Sequence, residues 1–240
     1  MEKTIIHKIK NALTFFRKYG IFRLINEIRF RVISSYHEHR FAVNTVYFIS
    51  KKELGFNNED LSEHVPAPYT AIYSLLNNIP LDFSKSVFLD YGSGTGRAII
   101  VAASFPFKKV IGIELSLNMF EISNDNIHRM HYKKAKEIEC INVNAKDYIL
   151  EDDINIIYFY HPFKGDTLKY VIDNIYHSYL RKPRNMFIIF INNQYFDEII
   201  KHFTWIKKVH QSYYYPGYLY NSYCGIYEII PTIPDTPKYI

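Results

Sequence analysis

Two cysteines in a chain of 240 residues, Cys140 and Cys224, are too few for a disulfide framework. Both lie in apolar, strand-like runs, which suits buried thiols in a reducing cytoplasm rather than a disulfide or a metal site. No stretch approaches the roughly 20 consecutive apolar residues that a membrane-spanning helix needs, although 48% of the residues are hydrophobic. The first ten residues, MEKTIIHKIK, carry charges where a secretory signal would have its apolar centre, so no such signal is expected. His37 and His39 form a His-x-His pair without the further ligands a metal site requires. No internal repeat is present. These absences leave a cytoplasmic globular protein as the expectation, long enough for one good core plus an extension.

What is present is uneven. The net charge is +5, but residues 1–40 hold nine Lys and Arg against three Glu, a balance of +6 that leaves −1 for the rest. The basic character therefore belongs to an N-terminal arm. Apolar residues at Ile5, Ile9, Leu13 and Phe16, then at Ile21, Leu24, Ile28 and Val32, recur at helical steps, with Gly20 as a break. Two short amphipathic helices are expected, with Lys8, Lys10, Arg17, Lys18, Arg29 and Arg31 on their outer faces. Such helices either dock on the main domain or lie on a membrane surface. A further helix is expected from Pro66, with Ile72, Leu75, Leu76 and Ile79 as its apolar face.

From residue 87 strands and helices alternate: strand 87–91, helix 96–104, strand 109–114, helix 116–130, strand 138–143, strand 154–160, helix 166–180 and strand 185–192. This order predicts an α/β fold, a doubly wound, mostly parallel sheet covered on both faces. After residue 200 two strands joined by the turn at Pro216 and Gly217 are expected to add an antiparallel pair, giving seven strands. The domains are expected as a basic helical extension over 1–60, a main domain over 61–231 and an extended tail over 232–240.

The most informative segment is VFLDYGSGTGR, residues 87–97, a buried-strand run closed by Asp90 and followed by Gly92, Gly94 and Gly96. Dinucleotide folds prefer G-x-G-x-x-G, which would require glycine where Arg97 stands. An acid followed by G-x-G-x-G instead resembles the cofactor loop of class I, Rossmann-like S-adenosylmethionine (SAM) methyltransferases. HRFAVNT, APYTAIYSLLNNIP, DYGSGTGR, FPFKKVIGIELS and YHPF, in this order, are similar to a family of small, poorly characterised bacterial methyltransferases with D-x-G-S-G-K-G-R and N-P-F motifs. The likeness spans about residues 39–230; Thr95 replaces the usual Lys and His161 the usual Asn. A remoter likeness is to seven-strand protein-lysine methyltransferases.

The site expectations follow from the carboxyl ends of the strands, where an open parallel sheet binds ligands. Asp90, Gly92, Ser93, Gly94 and Gly96, with Thr95 as an alternative hydroxyl, are placed at the amino-acid part of the cofactor. Arg97 is a cation at the unfavourable end of a helix dipole, so it is expected to meet a ligand carboxylate or a nearby acid. Glu114 can accept both ribose hydroxyls. Asn144 and Ala145 match the adenine contact of the family, with Asp147 as competitor. The resemblance adds Tyr69 and Leu115 to the cofactor contacts. At the fourth strand end, Tyr160, His161, Pro162 and Phe163 border the transferred methyl, and His161 is a candidate general base, since an unperturbed imidazole titrates near pH 6.5.

The resemblance thus implies SAM as cofactor, S-adenosylhomocysteine as product and no metal. The acceptor is expected to be a protein lysine, a glycan precursor or a small molecule. Nucleic acid ranks lower, because the chain outside the arm is slightly acidic while a phosphate-tracking surface is basic. The alternative is an inactive binding module held on a membrane or partner by the basic arm. Six tyrosines from Tyr213 to Tyr223 cluster at the last turn, either as strand packing or as rings that stack on an acceptor.

Overall fold

Seven strands form one sheet in the order β3-β2-β1-β4-β5-β7-β6. In chain order they are β1 (Val87–Tyr91), β2 (Lys109–Glu114), β3 (Glu137–Asn142), β4 (Ile154–Tyr160), β5 (Phe187–Ile191), β6 (Ile206–Tyr214) and β7 (Ser222–Ile229). The first five run parallel to one another, while β7 runs antiparallel and inserts between β5 and β6. The computed structural model describes residues 14, 17, 18, 20–46, 48–55, 60–192, 194–214 and 222–231. Most of the expected helix over residues 5–16, most of the turn bearing the tyrosine cluster and the tail from 232 lie outside them. Of that cluster, Tyr213 and Tyr223 meet edge to face, with ring centroids 5.1 Å apart.

Strand periodicity divides the core in two. In β1, Val87, Leu89 and Tyr91 face one layer and Phe88 the other. The Phe88 side is covered by helices α2 (Tyr69–Asn77) and α3 (Arg97–Ala103), with Ile127 of α4 (Leu117–Arg129). The other side is covered by α5 (Gly165–Arg181) and by α6 (Gln194–Ile200), a helix the sequence reading did not anticipate. The stripe Leu168, Ile172, Ile175 and Tyr179 of α5 is buried as its spacing predicts. Cys224 is buried and Cys140 half-buried, and both are free thiols.

The N-terminal region departs from expectation. Helix α1 runs unbroken over Ile21–Phe41, beyond the predicted end at Val32, and stops where Ala42 turns left-handed at φ 57°. Its predicted inner stripe is largely exposed: Ile21, Ile28 and Val32 are 48%, 52% and 62% accessible. The helix docks by its opposite side, through Phe41 and Ile33 with Glu27 and Ser34 buried beside them. The sequence misleads because α1 is apolar on two faces, so periodicity identifies a stripe without saying which one meets the core.

Candidate active site

The site lies at the switch point of the sheet, between β1 and β4, where the chain leaves β1 toward β2 and β3 and later returns on the other side. The glycine loop joins β1 to α3 there. Gly92 and Gly94 have φ of 72° and 56°. A side chain at Gly92 would strike Pro162, and one at Gly94 would strike the His64 ring. The loop is therefore sandwiched as well as left-handed, two independent reasons for glycine.

Two cavities open on this loop. The first is bordered by Asp90, Ser93, Gly94, His64, Tyr158 and Tyr160. The second is bordered by Leu115, Val143, Asn144, Ala145, Pro162 and Phe163. Glu114 and Gly92 border both. Glu114 is 7% exposed, and its two oxygens accept backbone N–H groups of Gly94 and Ser116, each at 2.8 Å. Burial raises its pKa, partly offset by the N–H groups of Ser116, Gly94 and Leu115. A carboxylate offers roughly four acceptor positions, so these two hydrogen bonds leave capacity for two hydroxyls. Asn144 borders the second cavity and Asp147 does not; the Asn144 amide oxygen also accepts the Lys146 N–H at 3.0 Å.

Asp90, the last residue but one of β1, has 3% exposure and a pKa held well above the usual carboxylate range, by burial first and by the Glu114 charge second. Two carboxylates beside one cavity favour a cationic ligand, such as one carrying an ammonium and a sulfonium. Asp90→Asn is therefore expected to raise the melting temperature of the ligand-free protein by roughly 2–4 °C, for about 1 kcal/mol of relieved desolvation and repulsion, while weakening SAM at least about tenfold. Because the folded pKa of Asp90 is raised, its stabilising share is full below the unfolded value and lost as pH rises through the folded one. The gap between variant and wild type should thus widen from acid toward neutral pH. A gap independent of pH in calorimetric scans would refute the assignment.

Arg97 borders the first cavity and meets an acid, one of the two partners expected for it, whereas Tyr69 borders neither cavity. Arg97 is 3% exposed, and its guanidinium is spent on protein groups: Nε donates to Thr45 Oγ1 at 2.7 Å, Nη1 to the Ala67 carbonyl at 2.9 Å, and Nη2 to Glu38 Oε1 at 3.3 Å and the Thr45 carbonyl at 3.2 Å. The cation lies 4.6 Å from the centre of the Tyr69 ring. Tyr69 is itself buried and donates its hydroxyl to Glu38 at 2.7 Å. The acid that offsets the helix dipole at Arg97 is thus Glu38 of α1. Thr95 points the same way, donating to the Thr45 carbonyl at 3.3 Å. Asn126 completes the strap, donating to the carbonyls of Asn44 and Thr95, both at 2.9 Å. HRFAVNT thus fastens the back of the glycine loop through Asn44 and Thr45, which no spacing rule reveals.

The fourth strand end is covered by residues 60–64, a segment without a periodic pattern. Leu61 bridges Phe163, the Ser62 N–H donates to the Pro162 carbonyl at 3.1 Å, and the Lys164 N–H donates to the Asp60 carbonyl at 2.8 Å. His64 follows, its pKa pushed down to about 4 by burial and by Arg97, so its ring is neutral at physiological pH. Tyr160 borders the first cavity, Phe163 the second and Pro162 both, whereas His161 borders neither. Its backbone is left-handed at φ 46° and its Nδ1 is buried without a hydrogen-bond partner among the described residues. Asn and His are among the residues that tolerate this region. Burial, then Lys164 and Lys51, lower the His161 pKa.

This strand order, with a glycine loop after β1 and an acid after β2, can be set against known proteins. A family model described as conserved hypothetical protein 95 matches residues 66–217. The chain belongs to that family. Its fold is that of the class I SAM-dependent methyltransferases. An RNA methyltransferase from Salinibacter ruber, solved with S-adenosyl-L-homocysteine, superposes with a TM-score of 0.51 at 15% identity, over 72% of this chain and 98% of its own. A Pyrococcus horikoshii protein provisionally described as an RNA methyltransferase gives 0.53 at 14% identity, over 73% and 93%. A SAM-dependent methyltransferase from Methanosarcina mazei gives 0.52 at 10% identity, over 66% and 98%. No curated protein sequence matches the chain.

Proposed function

We propose that the protein transfers the methyl group of SAM to a nitrogen or oxygen nucleophile. The observation that carries this reading is the position of Glu114, shared by a cavity with acidic and glycine-loop walls and a cavity with apolar and amide walls. When bound, SAM supplies an activated methyl on a sulfonium. Asp90 would contribute negative charge beside that cation, Glu114 would accept from the ribose hydroxyls, and Leu115, Ala145, Pro162 and Phe163 would flank the base. Tyr160 and the covering segment before Ala67 bound the opening through which a nucleophile enters, and they keep water from it.

His161 serves this scheme as a strained corner rather than as the base. His161→Asn is expected to keep methyl transfer within about threefold of wild type, since Asn accepts the left-handed backbone. His161→Val should cost about 1–2 kcal/mol of stability in denaturant titrations. A hundredfold loss of transfer in a well-folded Asn variant would make His161 the general base instead.

The acceptor classes are protein lysine, glycan precursor and small molecule, favoured by the charge balance of the chain, and RNA, from the descriptions of the Salinibacter and Pyrococcus neighbours. RNA accordingly ranks higher than the charge balance alone would place it. Labelled SAM incubated with the full chain and cell lysate, followed by nuclease or protease digestion, separates them. Nuclease-sensitive label identifies RNA, protease-sensitive label a protein, and label resistant to both a glycan or small molecule. No incorporation in any fraction would overturn transfer and favour the binding-module reading.

A further inference from the structure

Helix α1 carries two apolar faces, and only one is covered among the described residues. On the free side Ile25 and Tyr36 join Ile21, Ile28 and Val32 at steps of three and four; Ile25 and Tyr36 are 47% and 59% exposed, and Phe22 beside them 80%. An unbroken stripe of this kind on a soluble surface marks an interaction site. The charges around it are sorted by sign. Both acids of the helix turn inward, Glu27 buried with Arg31 at 2.6 Å and Glu38 held by Arg97 and Tyr69. Arg29 and Arg40 are exposed along the border of the stripe.

We propose that α1 is a membrane-surface helix that docks the protein on anionic lipid, with the stripe at the boundary of headgroups and acyl chains and the arginines among the lipid phosphates. An exposed apolar stripe edged by cations of a single sign matches such a surface in both respects. A second copy placed stripe against stripe would bring like charges together. RNA would use the arginines and leave the stripe in water. The docking is peripheral, since no described helix is long and apolar enough to cross a bilayer.

Co-sedimentation of the full chain with vesicles tests this. Phosphatidylcholine vesicles containing phosphatidylglycerol should carry the protein down, and pure phosphatidylcholine vesicles should not. Ile25→Glu combined with Val32→Glu should weaken this binding at least about tenfold and leave the melting temperature and SAM affinity unchanged, because both side chains are exposed. Arg29→Gln combined with Arg40→Gln should weaken it about thirtyfold, at roughly fivefold for each arginine near an anionic surface. The proposal is overturned by absence of sedimentation with anionic vesicles, by equal sedimentation with both kinds, or by binding that either double variant leaves intact. A dimer of the full chain that Ile25→Glu with Val32→Glu dissociates, without lipid binding, assigns the stripe to a second copy and also overturns it. RNA retention lost only in the arginine variant, again without lipid binding, does the same.

Discussion

Glu114→Ala is expected to weaken SAM binding roughly a hundredfold. Each hydrogen bond to a charged acceptor is worth about 1.5 kcal/mol, and two ribose hydroxyls therefore account for about 3 kcal/mol, or about two powers of ten. The loss has a structural component, because the same carboxylate holds the N–H groups of Gly94 and Ser116, and alanine leaves the Gly94 N–H buried without that partner. Glu114→Gln separates the two contributions: its amide oxygen still accepts one N–H, so the loop should keep its shape while binding stays at least about tenfold weaker. Titration calorimetry with both variants reads this directly. If folded Glu114→Ala protein binds SAM within threefold of wild type, the ribose contact lies elsewhere.

Arg97→Met carries the largest expected loss of stability. Breaking a buried ion pair by removing one partner costs about 3–5 kcal/mol, and for a chain of this size that lowers the melting temperature by roughly 10 °C. Glu38 would remain half-buried with Thr45 and Tyr69 as its hydrogen-bond donors and no cation. Adding Glu38→Gln to Arg97→Met should recover part of the loss, since it removes the stranded charge, whereas in the wild-type background Glu38→Gln should destabilise. Arg97→Lys should fail to rescue, because an ammonium cannot reach Thr45, Ala67 and Glu38 in the geometry of a planar fork. A change in melting temperature under about 2 °C for Arg97→Met would show the network to be energetically idle.

The central strands were legible in the sequence because the signals were local. β1, β2 and β4 fall on the expected residues, since buried parallel strands read as short apolar runs closed by glycine or an acid. The same locality brought Asp90, Gly92 and Ser93 to one cavity, Asn144 and Ala145 to a second and Glu114 to both, because topology places every parallel strand end on one edge. Asp60, His64, Thr45, Asn126 and Glu38 escaped the sequence reading. Their hydrogen bonds join residues far apart in the chain, Asn44 to Asn126 and Asp60 to Thr167 among them. No period or motif encodes such a pairing.

Periodicity and the glycine spacing determined an α/β sheet with a glycine loop after its first strand, and the resemblance carried by that loop implied the cofactor. Tertiary structure alone decided where Arg97 points, which face of α1 is covered and which segment roofs the site. The division has one physical cause. Backbone conformation and strand burial are set by neighbours in sequence, whereas the partner of a buried charge and the covered side of a helix with two apolar faces are set by what the folded chain brings alongside.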